Sequence, residues 1–139
     1  MSEIADFLRA RYAERRAIAE AASPGPWHPN EEADEVLAVD GITVADGFAL
    51  SGQQLRATVQ HIAANNPVDV IADCDTKLAL VDEHGPGGHY WPGSPRQYCK
   101  TCGSGEPNEY PTEWPCRTLR ILAQPFAAHP DHRGEEWTP

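Results

Sequence analysis

The chain has 139 residues and a mass of 15.2 kDa, a length suited to one domain of residues 1–139 and short for two. Hydrophobic residues make up 40% and charged residues 23%, which provides for a core and excludes disorder throughout. Acids outnumber Lys plus Arg 21 to 11, a formal charge of -10, which argues against direct binding of nucleic acid by phosphate neutralisation. No apolar run approaches the ~20 residues of a membrane span, and the acidic start Met1-Ser2-Glu3 has no apolar block behind it. The expectation is a cytoplasmic protein without a membrane partner.

Residues 2–22 carry Ile4, Phe7, Leu8, Tyr12, Ile18 and Ala19 at spacings that a 3.6 period gathers onto one face, so a helix is predicted within the segment 1–23. Ser2 is placed to cap it, Glu3 and Asp6 suit its positive end, and Pro24-Gly25-Pro26 stops it. In the segment 24–50 the period changes. Val36–Val39 and Ile42–Ala45 are β-prone runs around Asp40-Gly41, a pair suited to a tight hairpin turn, with Trp27 placed to add a third strand or to plug the sheet. Six acids and no Lys or Arg lie between Glu31 and Ala49.

A helical pair is predicted over 51–84. Ser51 caps the first helix, which runs through Asn65 with Leu55, Val59, Ile62 and Ala63 inward. Asn66-Pro67 then starts a second helix, with Val70, Ile71, Cys74, Leu78 and Val81 as its stripe. Residues 85–114 read as a long loop dense in Gly, Pro and aromatics, among them Tyr90, Trp91, Tyr98, Tyr110 and Trp114. A loop of that length in a small protein calls for an explanation, either disorder or a local staple. A last helix starts near Pro115 with Cys116, Leu119, Leu122 and Phe126, and Pro125 kinks or ends it, so the segment 85–128 is loop and helix. The tail 129–139 is polar except for Trp137. The expected fold is α+β: a hairpin or three-stranded antiparallel sheet on about four helices, with a zinc-stapled loop.

The staple follows from the cysteines. Cys99-Lys100-Thr101-Cys102 presents two thiols from one turn, and Cys116 follows fourteen residues later. Thiolates suit tetrahedral zinc, and a closed structural site takes four N or S donors. His84, fifteen residues before Cys99, is the leading fourth ligand. His89 is an alternative, and Cys74 another, although Cys74 sits on an apolar stripe where a small buried thiol is the commoner fate. A disulfide runs against a reducing compartment, and a redox pair against the Gly/Pro-rich setting. A zinc deaminase fails because Gly85-Pro86 follows His84 and Tyr98 precedes Cys99. His129-Pro130-Asp131-His132 offers two imidazoles and a carboxylate, and reads as a polar turn.

Three stretches carry a family resemblance. Ser23-Pro24-Gly25-Pro26-Trp27-His28 after a helix, and His61 to Val70, resemble a module of small phage and prophage proteins. Pro115-Cys116-Arg117-Thr118-Leu119-Arg120, running on to Glu135-Glu136-Trp137, is similar to the closing signature of an actinobacterial and phage-borne group catalogued as a domain of unknown function (number 6221). The resemblance spans nearly the whole chain. It implies no established activity. It also implies that the metal stabilises a variable insertion, and that Cys74 falls outside the family pattern.

Together these readings give an expected function: an acidic zinc-binding accessory protein, phage- or prophage-derived, that binds a host or phage protein through the hairpin between Glu31 and Asp46. Two alternatives stand beside it. One is a zinc hydrolase holding the metal by Cys99, Cys102 and Cys116 with water in the fourth place. The other is DNA binding through Arg9, Arg11, Arg15 and Arg16 on the first helix, which Glu3, Asp6, Glu14 and Glu20 offset.

Overall fold

Nineteen residues, Glu3–Ala21, form helix α1, and its apolar stripe is buried at Ile4, Phe7, Leu8, Tyr12 and Ala19. Ile18 departs from the expectation. It shares the stripe but is 73% exposed. The computed structural model describes residues 3–48, 51–103 and 111–139, so the expected cap Ser2 and loop residue Tyr110 lie outside the described residues. The remaining elements are β1 (His28–Pro29), β2 (Glu35–Leu37), β3 (Thr43–Asp46), α2 (Gly52–Ala64), α3 (Pro67–Glu83), β4 (Pro86–His89), β5 (Gln97–Cys99) and α4 (Arg117–Ala123), with 3-10 turns at Gln124–Phe126 and Gly134–Trp137. The class is α+β, with a three-stranded and a two-stranded antiparallel sheet. No helix among the described residues is long and apolar enough to cross a membrane. The chain resolves into two compact units, 13–74 and 1–12 with 75–139.

The unit 13–74 holds the sheet β1-β2-β3, with Val36 opposite Ala45 and His28 opposite Leu37. Helix α2 packs on β1 and β2. Val36, Val59 and Ala63 form the buried centre, and Trp27, Val44, Leu55 and Ile62 close over it. The hairpin expected around Asp40-Gly41 is present, with Gly41 at φ +82° and the Asp40 carboxylate accepting the Ile42 N–H at 3.2 Å. Its connection is longer than a two-residue turn. The Val39 N–H leaves the ladder to bond the Pro24 carbonyl at 3.1 Å, so the first run stops as a strand at Leu37. Ser51 makes no side-chain cap on α2. Asn66 does cap α3, its Oδ1 accepting the N–H groups of Val68 at 3.0 Å and Asp69 at 3.4 Å.

In the other unit Leu8, Tyr12, Val81 and Leu119 are buried, and Trp137 anchors the tail at 3% exposure. The Phe7 ring meets Trp137 at 5.0 Å and Phe126 at 6.1 Å. Arg9 pairs with Asp82 at 2.9 Å, and Arg133 pairs with Glu3. Pro125 converts the end of α4 into a 3-10 turn, as its missing N–H dictates.

The described residues of the segment, 85–103 and 111–114, do not form the structureless loop that its composition suggests. β4 and β5 form an antiparallel hairpin, and residues 112–114 lie along the far side of β5. There the Cys99 N–H bonds Thr112 O, and the Trp114 N–H bonds Gln97 O, both at 2.9 Å. The reason is steric. Gly87 and Gly88 read as breakers, yet they leave room for the Tyr98 ring, which passes 2.5 Å from where a Cβ on Gly87 would stand.

Candidate metal centre

Three chain segments converge at the head of this hairpin. His84 directly follows α3, its N–H still bonded to Leu80 O at 3.0 Å. Cys99 ends β5, and Cys102 follows in a tight turn closed by the Gly103 N–H on Cys99 O at 2.7 Å. A Cβ on Gly103 would stand 2.5 Å from that carbonyl, so the turn admits no larger residue without shifting. Cys116 occupies the N-cap position of α4 without capping it through its side chain.

Nδ1 of His84 lies 3.6 Å from Cys99 Sγ, 3.4 Å from Cys102 Sγ and 3.5 Å from Cys116 Sγ. The four donor atoms all fall within 4.8 Å of one another. With Zn–S bonds of about 2.3 Å and a Zn–N bond of about 2.0 Å, a regular tetrahedron has N···S edges of about 3.5 Å and S···S edges of about 3.8 Å. The observed N···S separations match that edge. The donor set can therefore hold a metal ion of zinc's size and softness.

Neighbouring groups hold the donors in place. The Thr101 hydroxyl donates to Glu83 O at 2.6 Å and Glu83 Oε1 at 3.0 Å, and the Lys100 N–H donates to Gly85 O at 2.9 Å. Together they fasten the Cys99–Cys102 turn to the end of α3. The Trp114 indole N–H donates to the His84 carbonyl at 2.8 Å, and the Cys102 N–H points at Cys99 Sγ at 3.4 Å. Contacts of this kind orient metal ligands. Sequence reasoning overlooked Thr101 and Trp114, although Trp114-Pro115-Cys116 stands beside a proposed ligand and was the available signal.

The electrostatics favour a cation. Although Cys102 as a residue is exposed, partial desolvation of its sulfur, then a hydrogen bond with Cys99 and the negative charge of Cys116 and Cys99, push its thiol up to about 12. Burial also raises Cys99, but the N–H groups of Cys102 and Thr101 outweigh it and hold that thiol below its ordinary value. A dication removes the mutual repulsion that three sulfurs otherwise impose. Cys99 and Cys116 are buried, whereas Cys102 reaches the surface.

The other candidate residues lie elsewhere. His89 stands on β4 opposite Gln97, and neither it nor Cys74, a buried thiol on α3, belongs to the cluster. His129 and His132 serve the tail: their Nδ1 atoms accept the N–H groups of Asp131 at 3.1 Å and Gly134 at 2.9 Å.

Residues 1–139 match a family model described as a family of unknown function (DUF6221). No curated protein and no solved structure matches the chain. By that match, which takes in every residue from the helix carrying Leu8 to the tail carrying Trp137, the chain belongs to the DUF6221 family.

Proposed function

We propose that this protein is a small accessory protein, phage- or prophage-derived, that acts in the cytoplasm by binding another protein and uses zinc only to hold its fold. The observation that carries the zinc is the agreement between the His84 separations of 3.4–3.6 Å and the edge of a zinc-centred tetrahedron. Four protein donors make a closed site, and closed sites are structural. A hydrolytic zinc needs a fourth position held by water, and three thiolates already make the ion a weak Lewis acid. Structural zinc supplies on the order of 10 kcal/mol of apparent folding free energy, enough to fasten β4–β5 and α4 to the end of α3.

The binding role is supported by charge. Of the 21 acids, ten fall in residues 13–74 against three arginines, so the negative charge is concentrated in the unit that carries the hairpin. A field of that sign draws basic partners and speeds their association. On the first helix, Arg9 pairs with Asp6 and Asp82, and Arg16 pairs with Glu20, so these two of the four arginines are already engaged by carboxylates.

Two measurements test the reading. Elemental analysis of the purified protein is expected to give one zinc per chain, with X-ray absorption showing three sulfurs and one nitrogen. A shell containing an exchangeable oxygen would return the site to catalysis. Reversal of Glu31, Glu32, Asp34 and Glu35 to lysine is expected to abolish capture of the partner. Unchanged binding by that variant would remove the acidic hairpin from the proposal.

A further inference from the structure

The unit 13–74 contains an open groove of about 520 Å³ with the C-terminal half of α1 on one side and the start of α3 on the other. Ile18, Ala22, Trp27, Pro67 and Val70 give it an apolar lining, Asp69 and Asp73 stand one helical turn apart on the α3 side, and Arg15 lines the α1 side. Ile18 is the residue that its helical stripe assigns to the interior and the fold leaves 73% exposed. Asp69 is oriented in advance: the buried Asn66 donates its Nδ2–H to Asp69 Oδ2 at 2.9 Å.

Apolar surface continues past the groove. Val68, 49% exposed, packs within 3.0 Å of where a Gly25 Cβ would stand. The neighbouring Pro24 carbonyl takes the N–H of Val39, itself 56% exposed. The groove, the Pro24-Gly25-Pro26 turn and the tip of the acidic hairpin are therefore linked along one run of contacts.

We propose that this groove receives a cationic segment of a partner protein, seating one bulky apolar side chain against Trp27 and Ile18 and placing a Lys or Arg against Asp69. The proposal rests on the reading of this chain as a binding protein and adds where and what it binds. Charge complementarity selects the occupant. Ten acids against three arginines in this unit repel a second copy of the chain, and an uncharged small molecule makes no use of the oriented carboxylate. The apolar anchor supplies affinity, and the Asp69 carboxylate supplies register.

The probe is a labelled peptide in which arginines alternate with leucine and tryptophan, added to the intact zinc-loaded protein and followed by amide and indole NMR shifts. Two control peptides replace the arginines by glutamate or the apolar residues by alanine. Shifts are expected at Ile18, Ala22, the Trp27 indole and Val70, with neither control binding. Ala64→Trp, at an exposed groove position, is expected to weaken binding about tenfold or more by filling the groove. Asp69→Asn, which keeps an oxygen for Asn66, is expected to weaken it about threefold at low salt. Equal binding of the alanine control, or shifts confined to the hairpin, would overturn the groove while leaving the acidic reading intact. Concentration-dependent shifts without peptide would assign the groove to a second copy and overturn the proposal. Failure of both the groove variants and the hairpin reversal to alter peptide binding would end the proposal and the binding reading together.

Discussion

Nδ1 of His84 and Sγ of Cys116 stand 3.5 Å apart although 32 residues separate them in the chain. Such a pair has no local reason to meet, and a shared ion supplies one. Cys116→Ser is therefore expected to lower zinc content well below one per chain and to cost several of the roughly 10 kcal/mol that structural zinc contributes. Cys74→Ser serves as the control, since Cys74 lies outside the cluster. It should keep full zinc and lose only about 1–3 kcal/mol from burying a hydroxyl. Metal analysis beside thermal denaturation of both variants decides the matter, and equal zinc loss in the two would defeat the ligand assignment.

Acid should release the metal. Zinc needs thiolates, and in the metal-free fold the Cys102 thiol is pushed up to about 12, so a proton must leave as the ion enters. Affinity measured with a chromophoric chelator is expected to rise with pH through neutrality. The metal-free protein should show the opposite trend in alkali. The raised Cys102 contributes stability that is fully present below its ordinary value of 9.0 and lost as pH rises toward about 12. Chelator-treated protein should therefore melt earlier above about pH 9, whereas the zinc-loaded form should not. Parallel alkaline losses in both forms would show that Cys102 is not the cause.

Gly87 tests the packing of the metal hairpin. A Cβ there would stand 2.5 Å from the Tyr98 ring and 2.8 Å from Lys100 Cα, where backbone leaves no easy retreat. Gly87→Ala is expected to destabilise by about 1–3 kcal/mol through overcrowding, read as a lowered denaturation midpoint. Gly93, at φ +82° with open space around it, offers a contrast. Its replacement by Ala strains the backbone but meets no neighbour, so a clash signature at both sites would argue against the Tyr98 explanation.

Asn66 supplies the cap of α3. Asn66→Ala should cost about 1 kcal/mol, within the usual range of 0.5–2 for a lost N-cap, and Asn66→Asp should recover most of it. Chemical denaturation measures both, and hydrogen exchange at Val68 and Asp69 should report the local opening.

Much of the architecture was legible in the chain because local physics repeats there. Ile4, Phe7 and Leu8 declare a helix by their spacing, Pro24 and Pro67 mark boundaries by removing donors, and Asp40-Gly41 announces a turn. Where local reading failed, a distant partner had overridden it. Leu37 ends its strand because the next residue but one, Val39, bonds Pro24 instead. β4 forms across Gly87 and Gly88 because Tyr98 on the facing strand fills the space that their missing side chains leave. Ile18 belongs to the inward stripe and still lies exposed, since periodicity fixes a face of the helix without providing anything to cover it.

The metal centre divides in the same way. Residue chemistry and short spacing sufficed for Cys99 and Cys102, since both sulfurs come from a single turn, and they made Cys116 a reasonable third. The sequence put His84 ahead of His89 and Cys74 but left all three open, because each offers a suitable donor at a plausible distance along the chain. Tertiary structure made the choice. Pairing β4 with β5 carries His89 up the hairpin opposite Gln97, while the Thr101 and Trp114 bonds draw the end of α3, and His84 with it, against the sulfurs. Spacing along a chain limits which donors can meet, and only the hydrogen bonds between segments determine which of them do.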